Sequence, residues 1–204
     1  MLTLHRHALS GHSHRVQLFL SLTGLAHEIV EVDLPNGAHE QSDFLQKSLF
    51  GQVPVLEDGD VTIADSNAIL VYLARRYANP EWCPVEPETA AQVQRWLSVA
   101  AGELKQGPAD ARLVTVLGAK LDHARAKAIA QELFGVLDGY LGGRSWLAAD
   151  RPTIADVACY TYTAHAPEGE VSLTPYPNIR DWLRRLESLD GFVAMQPTAV
   201  GYAA

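Results

Sequence analysis

A serine near the start of the chain precedes a predicted helix, and its hydroxyl is a candidate for a catalytic or binding role. Ser10 follows a short predicted strand, residues 2–6, and precedes a helical pattern over residues 11–23. A serine there can cap the helix through its free amides. It can also donate a hydrogen bond to a bound anion, which the helix dipole favours as well. On spacing alone the cap is the favoured interpretation, and Ser13 and His12 are alternative donors.

A second group of polar residues lies farther along the chain, at the start of another predicted helix. Ser66 begins a helical pattern over residues 66–77, and Asp65 precedes it. A serine hydroxyl and the free amides of a helix N-terminus can hold a carboxylate, while an acidic side chain can face an ammonium group. Taken alone, the pair also describes an ordinary helix start.

Composition excludes several classes of function. The chain has 204 residues and a formal net charge of −8, which would repel nucleic acid and anionic membranes. Cys83 and Cys159 are far apart and form no metal-binding pattern, so we expect no disulfide, no metal and a cytoplasmic location. The apolar stretch 16–22 contains polar residues, and we interpret it as a buried helix and not a signal peptide.

Before the predicted linker, the sequence pattern alternates between strands and helices. The pattern predicts the order βαβαββα, a thioredoxin-like plan with a mixed four-stranded sheet. Three prolines within residues 79–87 predict a linker. Beyond it, apolar residues at helical spacing predict an all-helical C-terminal domain, with a capping box from Thr153 to Asp156. The predicted limits are 1–78 for the first domain, 79–88 for the linker and 89–204 for the second domain.

Four motifs carry a resemblance to a known family. They are LSGHSHRV at 9–16, FGQVPVLEDG at 50–59, DSNAIL at 65–70 and PTIAD at 152–156. In this order they resemble the cytosolic glutathione transferases, and in particular the serine-type phi-like and theta-like members, including bacterial ones. The resemblance implies a first domain that binds glutathione and a helical domain that shapes the pocket of the second substrate.

The resemblance assigns a chemical role to Ser10. The thiol of glutathione, with a pKa near 8.5 like that of free cysteine, is mostly protonated at neutral pH, yet the thiolate is the nucleophile. In serine-type members a serine at this position stabilises that thiolate, so Ser10 becomes the candidate catalytic residue. Neither a tyrosine in the first strand nor a cysteine at position 10 is present, so the tyrosine and cysteine branches of the family are disfavoured.

The resemblance also assigns the residues that bind glutathione. It implies a cis Val53-Pro54 bond, a strand edge there that pairs with the cysteinyl backbone, and a γ-glutamyl end held by Asp65 and Ser66. The remaining candidates are Gln52 for the main chain and His39 for the glycyl carboxylate. The chain departs from the family pattern with Asp65 for Glu, Glu40 for Lys, and Lys47-Ser48-Leu49 before Phe50 instead of Asn-Pro.

The function implied is transfer of glutathione to small hydrophobic electrophiles, a detoxification reaction. Glutathione would be the co-substrate, no cofactor is expected, and the family resemblance implies a homodimer. Two alternatives stay open. One is a catalytically silent glutathione-transferase-like module that binds proteins or ligands, and the other is a glutathione-dependent isomerase or peroxidase.

Overall fold

The computed structural model of the chain describes residues 1–200. It divides into two compact units. Unit 1 comprises Met1–Cys83 together with Asp190–Gln196, and unit 2 comprises Pro84–Leu189 together with the described residues from Pro197 onward.

Unit 1 is built on a four-stranded mixed sheet with three helices. The strands are β1 (Leu2–Arg6), β2 (His27–Glu31), β3 (Val55–Asp58) and β4 (Val61–Ala64), and the helices are α1 (Gly11–Leu22), α2 (Ser42–Leu45) and α3 (Ser66–Arg76). The strand order is β2-β1-β3-β4, with β1 parallel to β2 and antiparallel to β3, and with β3 antiparallel to β4. The predicted order βαβαββα and the mixed sheet are confirmed.

The core of unit 1 lies against the two central strands. Strand β2 is at the edge of the sheet, and its apolar residues Ile29 and Val30 are each 41% exposed. Helices α1 and α3 pack against each other, and α1 also contacts β1 while α3 contacts β3 and β4. The fully buried apolar side chains include Leu4, Val55 and Leu56 from the strands, Val16, Leu18, Phe19 and Leu20 from α1, and Ile69, Leu70 and Leu73 from α3.

A short segment from the C-terminal part of the chain belongs to unit 1. His14 Nε2 lies 2.8 Å from the Val193 carbonyl oxygen, and the Ser21 hydroxyl donates to the Gly191 carbonyl oxygen at 2.6 Å. Gly191 has φ +82°, and a Cβ there would lie 2.7 Å from the backbone oxygen of Ser21, so glycine permits this close approach. These contacts join residues far apart in the sequence and leave no local pattern. The sequence alone therefore assigns residues 190–196 to the helical domain.

Unit 2 is helical throughout its described part. Its helices are α4 (Pro87–Ala101), α5 (Asp110–Leu117), α6 (His123–Leu141), α7 (Ile154–Ala164) and α8 (Pro177–Glu187), and a π-helical turn, Lys105–Ala109, precedes α5. Pro87 and Pro177 each occupy the first helical position, where the missing N–H has no helical partner to lose. The predicted apolar stripes are mostly core, but Val136 on α6 is 62% exposed.

A buried cluster of charged side chains joins three parts of unit 2. The Arg112 guanidinium donates to Glu168, whose other oxygen lies 2.9 Å from His165 Nδ1 and accepts from the Thr198 N–H at 3.1 Å. Desolvation alone would raise the pKa of Glu168, but the hydrogen bonds from His165, Arg112 and Thr198 outweigh it and lower that pKa. Burial lowers the pKa of His165. Glu168 therefore stays ionised inside the unit and anchors the chain at Thr198.

Candidate active site

A cavity of about 470 Å³ lies in unit 1 and gathers most of the predicted binding residues. Three parts of the chain form its wall: the loop between α2 and β3, the junction of β4 and α3, and the first turn of α1. The lining residues are His12, Lys47, Ser48, Leu49, Phe50, Gln52, Val53, Pro54, Ala64, Asp65 and Ser66. Five of the seven predicted site residues thus meet in one cavity.

Asp65 and Ser66 are held at the N-terminus of α3. Asp65 has φ +78° and caps the helix, since its carboxylate accepts from the Ala68 N–H at 2.9 Å. Arg15, buried in α1, donates to the Ser66 hydroxyl at 2.9 Å and to the Asn67 side-chain oxygen at 2.8 Å. A buried cation thereby fixes the first residues of α3.

The arginine also determines the direction of the Ser66 hydroxyl. A guanidinium has only donors, so the Ser66 oxygen must accept from Arg15, and its own proton points elsewhere. His12 Nδ1 lies 3.3 Å from that oxygen. The hydroxyl proton can therefore go to His12 or to the carboxylate of a bound ligand.

The loop before β3 is fixed by its own backbone contacts. The Val53-Pro54 peptide bond is cis, which confirms the prediction. Ser48 Oγ donates to the Gln52 carbonyl oxygen and accepts from the Gln52 N–H, both at 3.0 Å. Gly51 has φ +58°, and a Cβ there would lie 2.9 Å from the His39 carbonyl oxygen. A side chain at position 51 would therefore disturb the loop that presents Gln52 and Val53 to the cavity.

Lys47 is held at the cavity by an ion pair with the sheet. Its ammonium donates to Glu57 Oε1 at 2.7 Å, and the other oxygen of Glu57 contacts His5 Nε2 on β1. The hydrogen bond from Lys47, followed by that from His5, lowers the pKa of the Glu57 carboxyl. The carboxylate is thus ionised and fixes the lysine.

Ser10 is the N-cap of α1 and is not among the residues that line the cavity. Its hydroxyl oxygen accepts from the Ser13 N–H at 3.2 Å, and its side chain is half-buried. Ser13 is completely buried, and its oxygen accepts from the His7 N–H at 3.3 Å. His12, between them, does line the cavity. The structure therefore separates the three alternatives by their access to the cavity.

His39 is the second predicted residue that the structure does not bring into the lining. It lies in a three-residue 3₁₀ turn, Ala38–Glu40, and its Nε2 is 3.7 Å from a carboxylate oxygen of Glu40. The backbone oxygen of His39 packs against Gly51, while its side chain is outside the cavity wall.

Sequence reasoning missed several residues of the site. Arg15 and Phe50 belong to the motifs but receive no role from the sequence, and Lys47 and Leu49 are noted only as departures from the family pattern. An arginine directly before the apolar stretch of a predicted buried helix was an available signal for Arg15, since a charge is rarely buried without a partner. Among residues 1–200, no group of three or more His, Cys, Asp or Glu side chains could hold a metal ion. No helix in the same range is long and apolar enough to cross a membrane.

The fold and the cavity together define a class of protein with a thioredoxin-like unit, a cavity at its cis-proline loop and a helical unit. The family model for the glutathione S-transferase N-terminal domain matches residues 1–75, and that for the C-terminal domain matches residues 119–190. Glutathione S-transferase 3 of Zea mays is 34% identical over 94% of this chain and 91% of its own length. Human glutathione S-transferase theta-2 is 30% identical over 90% of this chain and 79% of its own.

Solved structures agree with these sequence relatives. A glutathione S-transferase from Pseudomonas fluorescens superposes with a TM-score of 0.90 at 29% identity, over 96% of this chain and 99% of that one. A possible glutathione S-transferase from Rhodopseudomonas palustris gives 0.88 at 30% identity, over 100% and 96%. The chain therefore belongs to the glutathione transferase family and is a glutathione transferase, as the sequence predicted.

Proposed function

We propose that the enzyme conjugates the thiolate of glutathione to small hydrophobic electrophiles, with Ser10 as the residue that stabilises the thiolate. The observation that carries the proposal is the meeting of Asp65, Ser66 and the Val53-Pro54 loop in one cavity at a helix N-terminus. Glutathione would be the only co-substrate, without a further cofactor.

The charges of the cavity match one end of glutathione. The γ-glutamyl end carries an ammonium and a carboxylate. Asp65 can face the ammonium, while the Ser66 hydroxyl and the first amides of α3 can hold the carboxylate. Val53, just before β3, can pair with the cysteinyl backbone as an added strand does, and Gln52 lies beside it. The site thus fixes the peptide before the reaction, which makes the attack effectively unimolecular.

Ser10 can cap the helix and activate the thiol at the same time. Its oxygen accepts from the Ser13 N–H, which leaves the hydroxyl proton free to donate. Capping of α1 and activation of the thiol, which are alternative roles for Ser10 on the sequence alone, are therefore compatible. A thiolate placed there would receive that hydrogen bond and the favourable end of the α1 dipole.

We expect the double variant Asp65→Ala, Ser66→Ala to bind glutathione at least about 100-fold more weakly, measured by isothermal titration calorimetry. The reason is that each hydrogen bond to a charged group contributes about 1.5–3 kcal/mol. Asp65 also caps α3, so Asp122→Ala is the matched control, because Asp122 caps α6 in the same way, through the Arg125 N–H at 2.9 Å. Unchanged affinity in the double variant, with a normal circular dichroism spectrum, would overturn the assignment.

We also propose a homodimer and a cytoplasmic location. The dimer is supported by two large apolar side chains at the cavity loop, since Leu49 is 87% and Phe50 85% exposed. Adjacent exposed apolar residues of this size are typical of an interaction surface. Static light scattering at micromolar concentration should give twice the chain mass for the natural protein and less for Leu49→Ser, Phe50→Ser. Leu117→Ser, at an exposed leucine of unit 2, should stay dimeric, and a monomeric natural protein contradicts the proposal.

A further inference from the structure

We propose that a basic surface of unit 2 docks an acidic peptide segment of another protein, with one apolar side chain of that segment seated in a cavity. The surface comprises the loop after α6, residues 142–151, and the outward face of α8 (Pro177–Glu187). We call it the arginine surface. It shares no residue with the cavity of unit 1, so the inference is independent of the proposed function.

The arginine surface has the opposite charge balance to the chain as a whole. It holds five arginines and three acidic residues, whereas the chain has 16 lysines and arginines against 24 aspartates and glutamates. Arg144, Arg151, Arg180 and Arg184 are exposed and Arg185 is half-buried. A local positive potential on an acidic protein attracts and orients an acidic partner at this side.

Two of these arginines are held in place without an acidic partner. The Arg144 guanidinium lies 4.4 Å from the centroid of the Tyr140 ring, and that of Arg185 lies 5.9 Å from the centroid of the Trp146 ring. They donate to the backbone oxygens of Tyr140 at 3.0 Å and of Asp181 at 3.3 Å. Within residues 1–200 neither forms an ion pair with a carboxylate. A guanidinium has five N–H donors, so both retain the capacity to bind one.

A cavity of about 440 Å³ lies in the same surface. Tyr140 and residues 143–150 line it, and Arg144 is part of its wall. Trp146 and the residues 147–149 after it make up the apolar part of the lining. A cavity of this size can hold one large apolar side chain. Aromatic and arginine side chains around a pocket are typical of the positions that contribute most to protein–protein binding.

The loop that forms the cavity is fixed before any partner binds. Both backbone groups of Leu147 are hydrogen-bonded: its N–H donates to the buried Asp156 carboxylate at 2.9 Å, and its carbonyl oxygen accepts from the Tyr140 hydroxyl at 2.9 Å. A preformed surface loses less conformational entropy when it binds a ligand.

The placement of the cations favours a peptide over a single small anion. Arg144 is in the loop after α6, Arg185 is in α8, and each lies over its own aromatic ring. Carboxylates spaced along an extended segment match two such separate guanidiniums, and the planar guanidinium suits a carboxylate. The net charge of −8 disfavours nucleic acid as the partner.

The test is isothermal titration calorimetry with a synthetic peptide, acetyl-Glu-Glu-Glu-Phe-Glu-Glu-Glu-amide. Two matched peptides replace the phenylalanine by alanine, or every glutamate by lysine. The proteins are the natural chain, the double variant Arg144→Gln, Arg185→Gln, and the control Lys120→Gln, Arg125→Gln, which removes two exposed positive charges elsewhere in unit 2. Inorganic phosphate and a single-stranded oligonucleotide are titrated as alternative anions, and circular dichroism checks the fold of each variant.

We expect the natural protein to bind the glutamate peptide and not the lysine peptide. Arg144→Gln, Arg185→Gln should bind it about 10-fold more weakly, within the range for two partly exposed ion pairs. Arg144→Gln alone should show a smaller loss, and Lys120→Gln, Arg125→Gln should stay within about twofold of the natural protein. Replacing the phenylalanine of the peptide by alanine should also weaken binding about 10-fold, because the cavity loses its occupant.

Other results contradict the inference. If the natural protein does not bind the glutamate peptide, or if the control variant loses as much affinity as the arginine variant, there is no specific docking surface. If the alanine peptide binds as tightly as the phenylalanine peptide, the cavity takes no part in docking. If phosphate or the oligonucleotide binds more tightly than the peptide and is lost in the same arginine variant, the surface is an anion or nucleic-acid site instead.

Discussion

Replacing Ser10 by alanine should shift the pH dependence of kcat/KM to higher pH by one to two units. In the proposed mechanism the Ser10 hydroxyl lowers the pKa of the bound thiol by donating to the thiolate. Without that hydrogen bond the thiol pKa rises, and a smaller fraction is ionised at neutral pH. Each unit corresponds to about 1.36 kcal/mol. We therefore expect turnover of chlorodinitrobenzene at neutral pH to fall about 10- to 100-fold.

The sign of the effect makes it distinguishable from a loss of folding. The deficit should shrink as the pH rises through the higher thiol pKa, because both enzymes then hold the thiolate. Glutathione affinity should change much less than turnover. Alanine also removes the cap of α1, which costs about 0.5–2 kcal/mol of stability, but that loss has no reason to follow the thiol pKa. Ser10→Thr, which restores a hydroxyl, should recover most of the activity.

Ser13→Ala and His12→Ala test the alternative donors. Ser13 is completely buried and its oxygen accepts from the His7 N–H, so its removal should lower stability and leave the pH profile in place. His12 lines the cavity and lies 3.3 Å from the Ser66 hydroxyl, so its removal should alter glutathione affinity before it alters the thiol pKa. If Ser13→Ala or His12→Ala shifts the profile and Ser10→Ala does not, the serine-type assignment of Ser10 is wrong.

Local sequence patterns were enough to predict the framework of both units. The alternation of strands and helices over the first 77 residues, and the capping box at Thr153 and Asp156, are local features and appear as predicted. The exposure of Val136 is different. A helical stripe shows which residues share a face, but how much of that face another element covers is decided by packing that the stripe does not encode.

The site was predictable where its chemistry lies in contiguous motifs. Asp65-Ser66 and Val53-Pro54 each occur in one such motif, and the cavity contains both. Lys47 owes its place to Glu57 on β3, and Arg15 meets Ser66 across 51 residues of sequence. Such contacts need the register of the sheet and the packing of α1 on α3, which no single motif contains. The contacts that group residues 190–196 with unit 1 are of the same long-range kind.

The largest stability effect should come from Asp156, a completely buried residue in the first turn of α7. One of its carboxylate oxygens accepts from the Leu147 N–H at 2.9 Å and from the Trp182 indole N–H at 3.0 Å. The other accepts from the Thr153 N–H at 2.9 Å and the Thr153 hydroxyl at 3.3 Å. One side chain therefore joins the helix cap, the preceding loop and α8.

Asp156→Ala should lower the free energy of unfolding by about 4 kcal/mol, because several buried donors lose their acceptor at once and each unsatisfied donor costs about 1–3 kcal/mol. Asp156→Asn should also destabilise the protein, by a smaller amount, since its one oxygen can replace only one carboxylate oxygen and its amide group would face the other pair of donors. Asp122→Ala is the control: it removes an exposed helix cap and should cost only about 1 kcal/mol. Urea unfolding at one fixed protein concentration, so that self-association does not change between samples, measures all three. A loss for Asp156→Ala no larger than that for Asp122→Ala would mean that Asp156 acts as a local cap only, without a role in joining α7 to α8.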